Sequence, residues 1–273
     1  MTTQPERRTA AHDMLTTLAG TDTPELVAGA MERRHGHLGT FAVDHVLGNL
    51  WSRPQLPRRD RSLIVVAFLA TIGADDELSV HIEGALNHGI SRAEVAEVIN
   101  QVAAYAGFPM AMHATRIADK TFARIDGVDR VAPKDPGPGL DDQTRHEAAA
   151  DVMGTLFGGK VSSDPAQARQ GIVDALGGVG ELAYDFAFGE LWARDVLSRR
   201  DRSLVTVAIL GMLKAVDELA VHVPGALNHG CSRQEVEEVM VQLTAYGGFP
   251  RGVEAMKAAR AAFAKIDARA TKQ

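Results

Sequence analysis

The sequence predicts an all-α fold made of two tandem copies of a small helical-bundle domain. Three observations lead there. Trp51 to Pro109 and Trp192 to Pro250 align without a gap at a constant offset of 141 residues, with 36 of 59 positions identical. That unit is too long for a solenoid repeat, so it reads as a duplicated domain. Alternating apolar/polar runs and Asn-Gly hairpin turns, the signals of strands, are missing. Helix caps and helix-spaced apolar stripes recur in both copies instead.

The elements follow in order. Arg58 to Ile72 is apolar nearly all round, as expected of a central helix enclosed by others. Asp75 or Asp76 is placed to cap the next helix, whose apolar positions include Leu78, Ile82, Ala85 and Leu86, and Gly89 stops it. Ser91 with Glu94 forms a capping box, repeated by Ser232 with Glu235. Val95, Val98, Ile99 and Val102 then make one helical stripe. Gly107 ends that helix, Pro109 suits the first turn of the next, and Met110 to Ile125 closes the domain. Between the copies, Pro133, Pro136 and Pro138 with Gly127, Gly137 and Gly139 cannot continue a helix. The expected division is a first domain over residues 1–130, a Pro/Gly linker over 131–140 and a second domain over 141–273. Before Trp51 the copies share little beyond Asp44/Asp185, Gly48/Gly189 and Leu50/Leu191.

Composition narrows the function classes. A chain of 273 residues with 45% apolar and 23% charged residues can bury a normal core in each half. A net charge of −6 offers no basic footprint, so nucleic acid is not expected as a partner. Cys231 is the single cysteine, which leaves no internal disulfide and no thiol pair. The most apolar stretch, Leu63 to Ile72, is too short to span a bilayer, and the N-terminus has no apolar run of signal-peptide type. The expected setting is the cytoplasm, with no membrane partner.

One constellation could carry chemistry. Glu77, His81 and His88 share a helix and fall within an arc of roughly 40° at about 100° per residue. The second copy keeps Glu218, His222 and His229. A carboxylate one turn before an imidazole can orient the ring, choose its tautomer and raise its pKa, which suits proton transfer near neutral pH. The same spacing also suits a helix-stabilising pair, and His88 in the last turn gains from the helix dipole whatever its role. The three groups rise about 16 Å along the helix, so one metal ion cannot bridge the first and last, and no metal is expected. Arg61 and Arg202 can clamp a substrate carboxylate, or pack against a neighbouring helix. Tyr105 and Tyr246, before the Gly-Phe-Pro turns, either reach the site or belong to the core.

Taken together, the segments Leu50-Trp51-Ser52-Arg53-Pro54, Arg61-Ser62-Leu63, Glu77-Leu78-x-x-His81, Ala85-Leu86-Asn87-His88-Gly89 and Tyr105-Ala106-Gly107-Phe108-Pro109 resemble the carboxymuconolactone decarboxylase family, which includes the alkyl hydroperoxidase D-like proteins. The second copy matches through Leu191-Trp192, Arg202-Ser203-Leu204, Glu218-Leu219-x-x-His222, Ala226-Leu227-Asn228-His229-Gly230 and Tyr246-Gly247-Gly248-Phe249-Pro250. The resemblance implies helical domains that pair and assemble, commonly as six, so that a fused pair would form a homotrimer. It implies a cofactor-independent loss of CO2 from a small carboxylated lactone such as 4-carboxymuconolactone, as in aromatic-acid catabolism. His81 and His222 take the place of the active-site histidine. With Glu77 and Glu218 as their partners, Arg61, Arg202, Asn87, His88, Asn228 and His229 are the candidate substrate-binding residues. The peroxidase branch has a Cys-x-x-Cys pair where this chain has Ala74 and Glu77, or Ala215 and Glu218, so thiol peroxidase chemistry is not expected. Where the decarboxylase branch commonly reads Asn-Asn-Gly, this chain reads Asn87-His88-Gly89 and Asn228-His229-Gly230. A non-catalytic binding or oligomerisation module, or a lyase or isomerase on another small substrate, stays open. Pro224, where the first copy has Glu83, is expected to bend the second His helix and make the two sites unequal.

Overall fold

A computed structural model describes residues 2–132 and 139–271. Most of the Pro/Gly junction expected at 131–140, including Pro133, Pro136 and Pro138, lies outside the described residues. Among the described residues there are fourteen α-helices, two π-helical stretches and no strand. None of those helices is long and apolar enough to cross a membrane.

Each repeat follows the same order. The first runs α1 (Gln4–Leu18), α2 (Pro24–His35), α3 (His37–Phe41), a π-helical stretch (Ala42–Trp51), α4 (Arg58–Ile72), α5 (Asp75–Asn87), α6 (Arg92–Tyr105) and α7 (Phe108–Asp126). The second runs α8 (Asp142–Leu156), α9 (Pro165–Leu176), α10 (Gly178–Leu182), a π-helical stretch (Ala183–Leu191), α11 (Arg199–Leu213), α12 (Val216–Asn228), α13 (Arg233–Tyr246) and α14 (Phe249–Ala270).

Local chemistry sets these boundaries. Both capping boxes form, with Ser91 and Ser232 each accepting from the backbone of a glutamate that bonds back. α4 ends at Gly73 in the left-handed region, φ +67°; its counterpart Lys214 takes φ +59°, a conformation that crowds a Cβ. The expected aspartate cap on α5 is corrected: Ala74 holds the cap position without a side-chain bond, and Asp75 opens the helix, its carboxylate accepting from His113 Nε2 at 2.6 Å. α12 runs unbroken through Pro224.

The π-helical stretches explain the sparse matches before Trp51. Gly48 lies under α1, where an added Cβ would sit 2.2 Å from the Arg7 carbonyl oxygen; one added at Gly189 would sit 2.8 Å from the Arg145 carbonyl oxygen. Asp44 is buried against Arg8, and Asp185 pairs with Arg169. The stretches end at Trp51 and next to Trp192, both almost fully buried.

The two repeats do not close separate cores. Leu63, Phe68 and Val102 belong to one continuous apolar cluster with Leu204, Ile209 and Leu243, and a smaller cluster holds α8 against Tyr184, Phe188 and Trp192. α4 packs on α11, α6 crosses onto α11 and α13 crosses onto α4. Arg61, fully buried, donates through Nη2 to Glu238 at 2.8 Å and through Nη1 to Gln242 at 2.8 Å. Arg202 does the same with Glu97 at 2.7 Å and Gln101 at 3.2 Å. Arg59 pairs with Asp201 and Arg200 with Asp60. Contacts that are reciprocal in this way are those of a local two-fold arrangement, as in an isologous dimer joined into one chain.

A buried charge stripped of its partner is costly. Glu238→Ala leaves Arg61 without a counter-charge and is expected to lower unfolding stability by about 3 kcal/mol or more. Denaturant titration measures this; a loss below about 1 kcal/mol, the range of an exposed pair, would contradict the role assigned to the pair.

Candidate active site

α5 supplies two histidines and the end of the first π-helical stretch supplies the surface on which they rest. Trp51 stacks on His81 with ring centroids 5.7 Å apart and planes 12° from parallel, and its other neighbour, His88, lies 6.1 Å away. The remaining member comes from the other repeat. Tyr246, the last residue of α13, accepts a hydrogen bond from Trp51 Nε1 at 2.9 Å, and its hydroxyl lies 3.3 Å from His81 Nε2. Phe68 stacks behind the tyrosine at 6.0 Å. His81 is only half-buried, yet its Nδ1 is enclosed and has no hydrogen-bond partner among the described residues.

The second site repeats this with the repeats exchanged. Trp192 stacks on His222 at 6.3 Å, faces His229 at 5.4 Å and donates from Nε1 to Tyr105 at 2.9 Å. Tyr105 meets His222 edge-on at 5.4 Å. Each site is therefore assembled from both copies.

The other sequence-derived candidates are placed differently. Glu77 and Glu218 are exposed in the first turns of α5 and α12, and among the described residues neither forms a hydrogen bond with its histidine. An offset of about 40° around the helix leaves the carboxylate on the solvent side while the imidazole turns inward onto tryptophan. His88 is fastened at both nitrogens, by Ser62 Oγ at 2.8 Å and Thr17 Oγ1 at 3.1 Å, which ties α5 to α4 and α1. His229 keeps the serine bond, to Ser203, but its Nε2 is buried without a partner. Asn87 and Asn228 donate to the Leu18 and Leu156 carbonyls at 3.1 and 3.0 Å, closing the ends of α1 and α8. Arg61 and Arg202 face the partner repeat, held as described above. The sequence reading used Trp51 and Trp192 only as landmarks of the repeat and the resemblance, left out Glu97 and Glu238, and raised the two tyrosines without placing them.

Burial dominates the electrostatics. Loss of solvent, with His88 next in importance, pushes the His81 pKa down to about 4, and His222 beside His229 moves the same way to about 4. His88 and His229 also fall to about 4 through burial and the nearby Arg58 and Arg199. Burial pushes the Tyr105 hydroxyl up to about 12 and raises that of Tyr246 as well. Near neutral pH the site thus holds neutral imidazoles and protonated phenols, set on aromatic faces. Such groups can donate hydrogen bonds to an oxyanion and exchange a proton with it. Among the described residues no three His, Cys, Asp or Glu side chains are grouped to hold a metal ion.

Comparison with known proteins fits this picture. The carboxymuconolactone decarboxylase family matches the chain twice, over residues 37–120 and 178–261. A 4-carboxymuconolactone decarboxylase of Acinetobacter baylyi is 40% identical over 75 residues, 28% of this chain and 56% of that protein. A nitrosuccinic acid decarboxylase of Metarhizium robertsii is 38% identical over 76 residues, 28% of this chain and 53% of that protein. The chain spans about half the length of each of these relatives.

The low histidine pKa values fix the sign of a pH effect. Unfolded histidines titrate near 6.5, so below that pH the unfolded chain binds protons that the folded chain refuses until about pH 4. This stabilisation is complete above about 6.5 and is lost as the pH falls towards 4. Urea midpoints should drop between about pH 7 and about pH 5, less steeply in a His81→Gln/His222→Gln variant. An equal slope in that variant would contradict the assignment.

Proposed function

As this chain belongs to the carboxymuconolactone decarboxylase family, we propose that it is a cofactor-independent carboxy-lyase acting on a small carboxylated lactone or related cyclic acid. The observation that carries the reading is His81, neutral, stacked on Trp51, and with an enclosed Nδ1 that lacks a partner. The names of both relatives support it, since each describes the removal of a carboxylate from a small acid that bears a second electron-withdrawing group.

The chemistry runs as follows. A substrate carboxylate arriving beside His81 raises the imidazole pKa, and the ring takes up a proton from solvent. The C–C bond to the carboxylate then breaks, CO2 leaves, and the bonding pair passes into the conjugated carbonyl as an enolate. The imidazolium stabilises that charge and delivers its proton to the carbanionic carbon, returning to the neutral ring with which the cycle began. Trp51, Phe68 and Tyr246 give the imidazole an apolar setting, which favours a transition state whose charge is more dispersed than that of the starting carboxylate. Arg61 and Arg202 position α13 and α6 in this scheme, and His88 and Asn87 hold α5 in place.

Assembly as a homo-oligomer, a trimer of fused pairs, is part of the proposal. It is supported by apolar side chains exposed at equivalent places in both repeats: Leu38 and Phe41 match Val179 and Leu182, and Phe108 and Met112 match Phe249 and Val253. Paired patches of this kind suit self-association.

His81→Ala/His222→Ala is expected to keep its near-UV circular dichroism and to lose about a hundredfold or more of CO2 release from 4-carboxymuconolactone or a related acid. Unchanged turnover in the folded double variant would contradict the assignment. Light scattering at micromolar concentration should give three times the 29.2 kDa chain mass, and a monomer would contradict the trimer.

A further inference from the structure

We infer that Tyr246, carried in from the second repeat, is the positioning residue that sets the tautomer of His81, and that the exchange of Val65 for Thr206 denies the second site the same arrangement. The kinetic consequence rests on the carboxy-lyase reading; the tautomer does not.

Two donor-bearing side chains, Trp51 and Gln242, flank the hydroxyl of Tyr246. Trp51 Nε1–H, a group that can only donate, points at its oxygen from 2.9 Å. Gln242 approaches from the same helix with its amide orientation fixed, because its Oε1 already accepts from Arg61 Nη1 at 2.8 Å. The side of Gln242 left over is its NH2, another donor, and that nitrogen has no hydrogen-bond partner of its own. The acceptor within reach of the tyrosine proton is His81 Nε2 at 3.3 Å. Donation there places the lone pair of the neutral imidazole on Nε2 and its proton on Nδ1. Nδ1 is the enclosed atom without a partner, so the tyrosine turns an orphan nitrogen into an unpaired N–H donor.

The second site differs by one buried residue. Thr206 stands where the first repeat has Val65, and both are fully buried. Thr206 Oγ1 accepts from Gln101 Nε2 at 3.0 Å, and its own O–H lies beside the hydroxyl of Tyr105. A threonine hydroxyl can accept as well as donate, so it gives the phenol an alternative to the imidazole, and among the described residues Tyr105 makes no hydrogen bond to His222, only an edge-on ring contact. The same exchange explains why Gln242 Nε2 is left without a partner while Gln101 Nε2 has one. One methyl-for-hydroxyl difference thus separates a site with a fixed histidine tautomer from a site without one.

The test is imidazole nitrogen NMR on the full chain near neutral pH, paired with turnover. In the unaltered protein His81 should show the Nδ1–H form and His222 should not. Tyr246→Phe and Val65→Thr should each remove the Nδ1–H signature from His81, whereas Tyr105→Phe should leave it in place. Thr206→Val should bring the signature to His222. With 4-carboxymuconolactone as the probe substrate, Tyr246→Phe and Val65→Thr should lower kcat about tenfold with KM nearly unchanged, and Thr206→Val should raise turnover in a His81→Ala background. A His81 signature that survives Tyr246→Phe and Val65→Thr would overturn the proposal, and so would its loss in Tyr105→Phe. If the tautomer responds as stated but the unaltered protein releases no CO2 from carboxylated lactones, the positioning role stands and the carboxy-lyase reading falls.

Discussion

Two arginines that water cannot reach, Arg61 and Arg202, each meet their counter-charge on the opposite repeat. An unpaired buried guanidinium is costly enough that neither copy can close over its arginine alone. The pairing also fixes a register. Glu238, Gln242 and Tyr246 fall four residues apart on one face of α13: the first two hold Arg61, and the third lands on Trp51 and His81. Glu97, Gln101 and Tyr105 do the same from α6. The crossing that neutralises the charge is thus the crossing that builds the site. A shift along α13 of one turn, about 5.4 Å, would lose both at once.

Much of the fold was legible because its signals are local. The apolar run of α4, the Ser91/Glu94 and Ser232/Glu235 boxes and the stop at Gly89 are each decided within a few residues. The Asp75 cap was misplaced because Ala74 takes the cap position while acidic side chains in the first turn favour the helix dipole equally well. The π-helical stretches left no trace in the apolar spacing, and the Trp51 and Trp192 platforms depend on them. For the site, the sequence puts each histidine and its glutamate on one helix, but Glu77 and Glu218 match by spacing alone, and a 40° offset puts them in solvent. The cross-repeat tyrosine was unreadable for a deeper reason. In a duplicated chain every residue has a twin, so the sequence alone cannot say whether His81 meets Tyr105 or Tyr246. The Glu-x3-Gln-x3-Tyr stripe carried the hint, since a glutamate and a glutamine in an otherwise apolar helix need a buried partner.

Duplication within one chain also lets the two sites diverge, which identical subunits cannot do. The expected source of inequality was Pro224, which lies inside α12. The buried surroundings differ as well: Val65 against Thr206, and a His88 bonded at both nitrogens against a His229 bonded at one. The first is a change of side chain and the second a change of contact, since Thr155 stands where the first repeat has Thr17.

The central claim is that each site is shared between repeats, and a double-mutant cycle on CO2 release addresses it most directly. Tyr246→Phe combined with His81→Ala should cost no more than His81→Ala alone, because both act at one site. Tyr246→Phe combined with His222→Ala should cost far more than His222→Ala alone, because both sites are then impaired. The reverse pattern, with Tyr246→Phe silent beside His222→Ala and additive beside His81→Ala, would place the tyrosine with its own repeat and contradict the account.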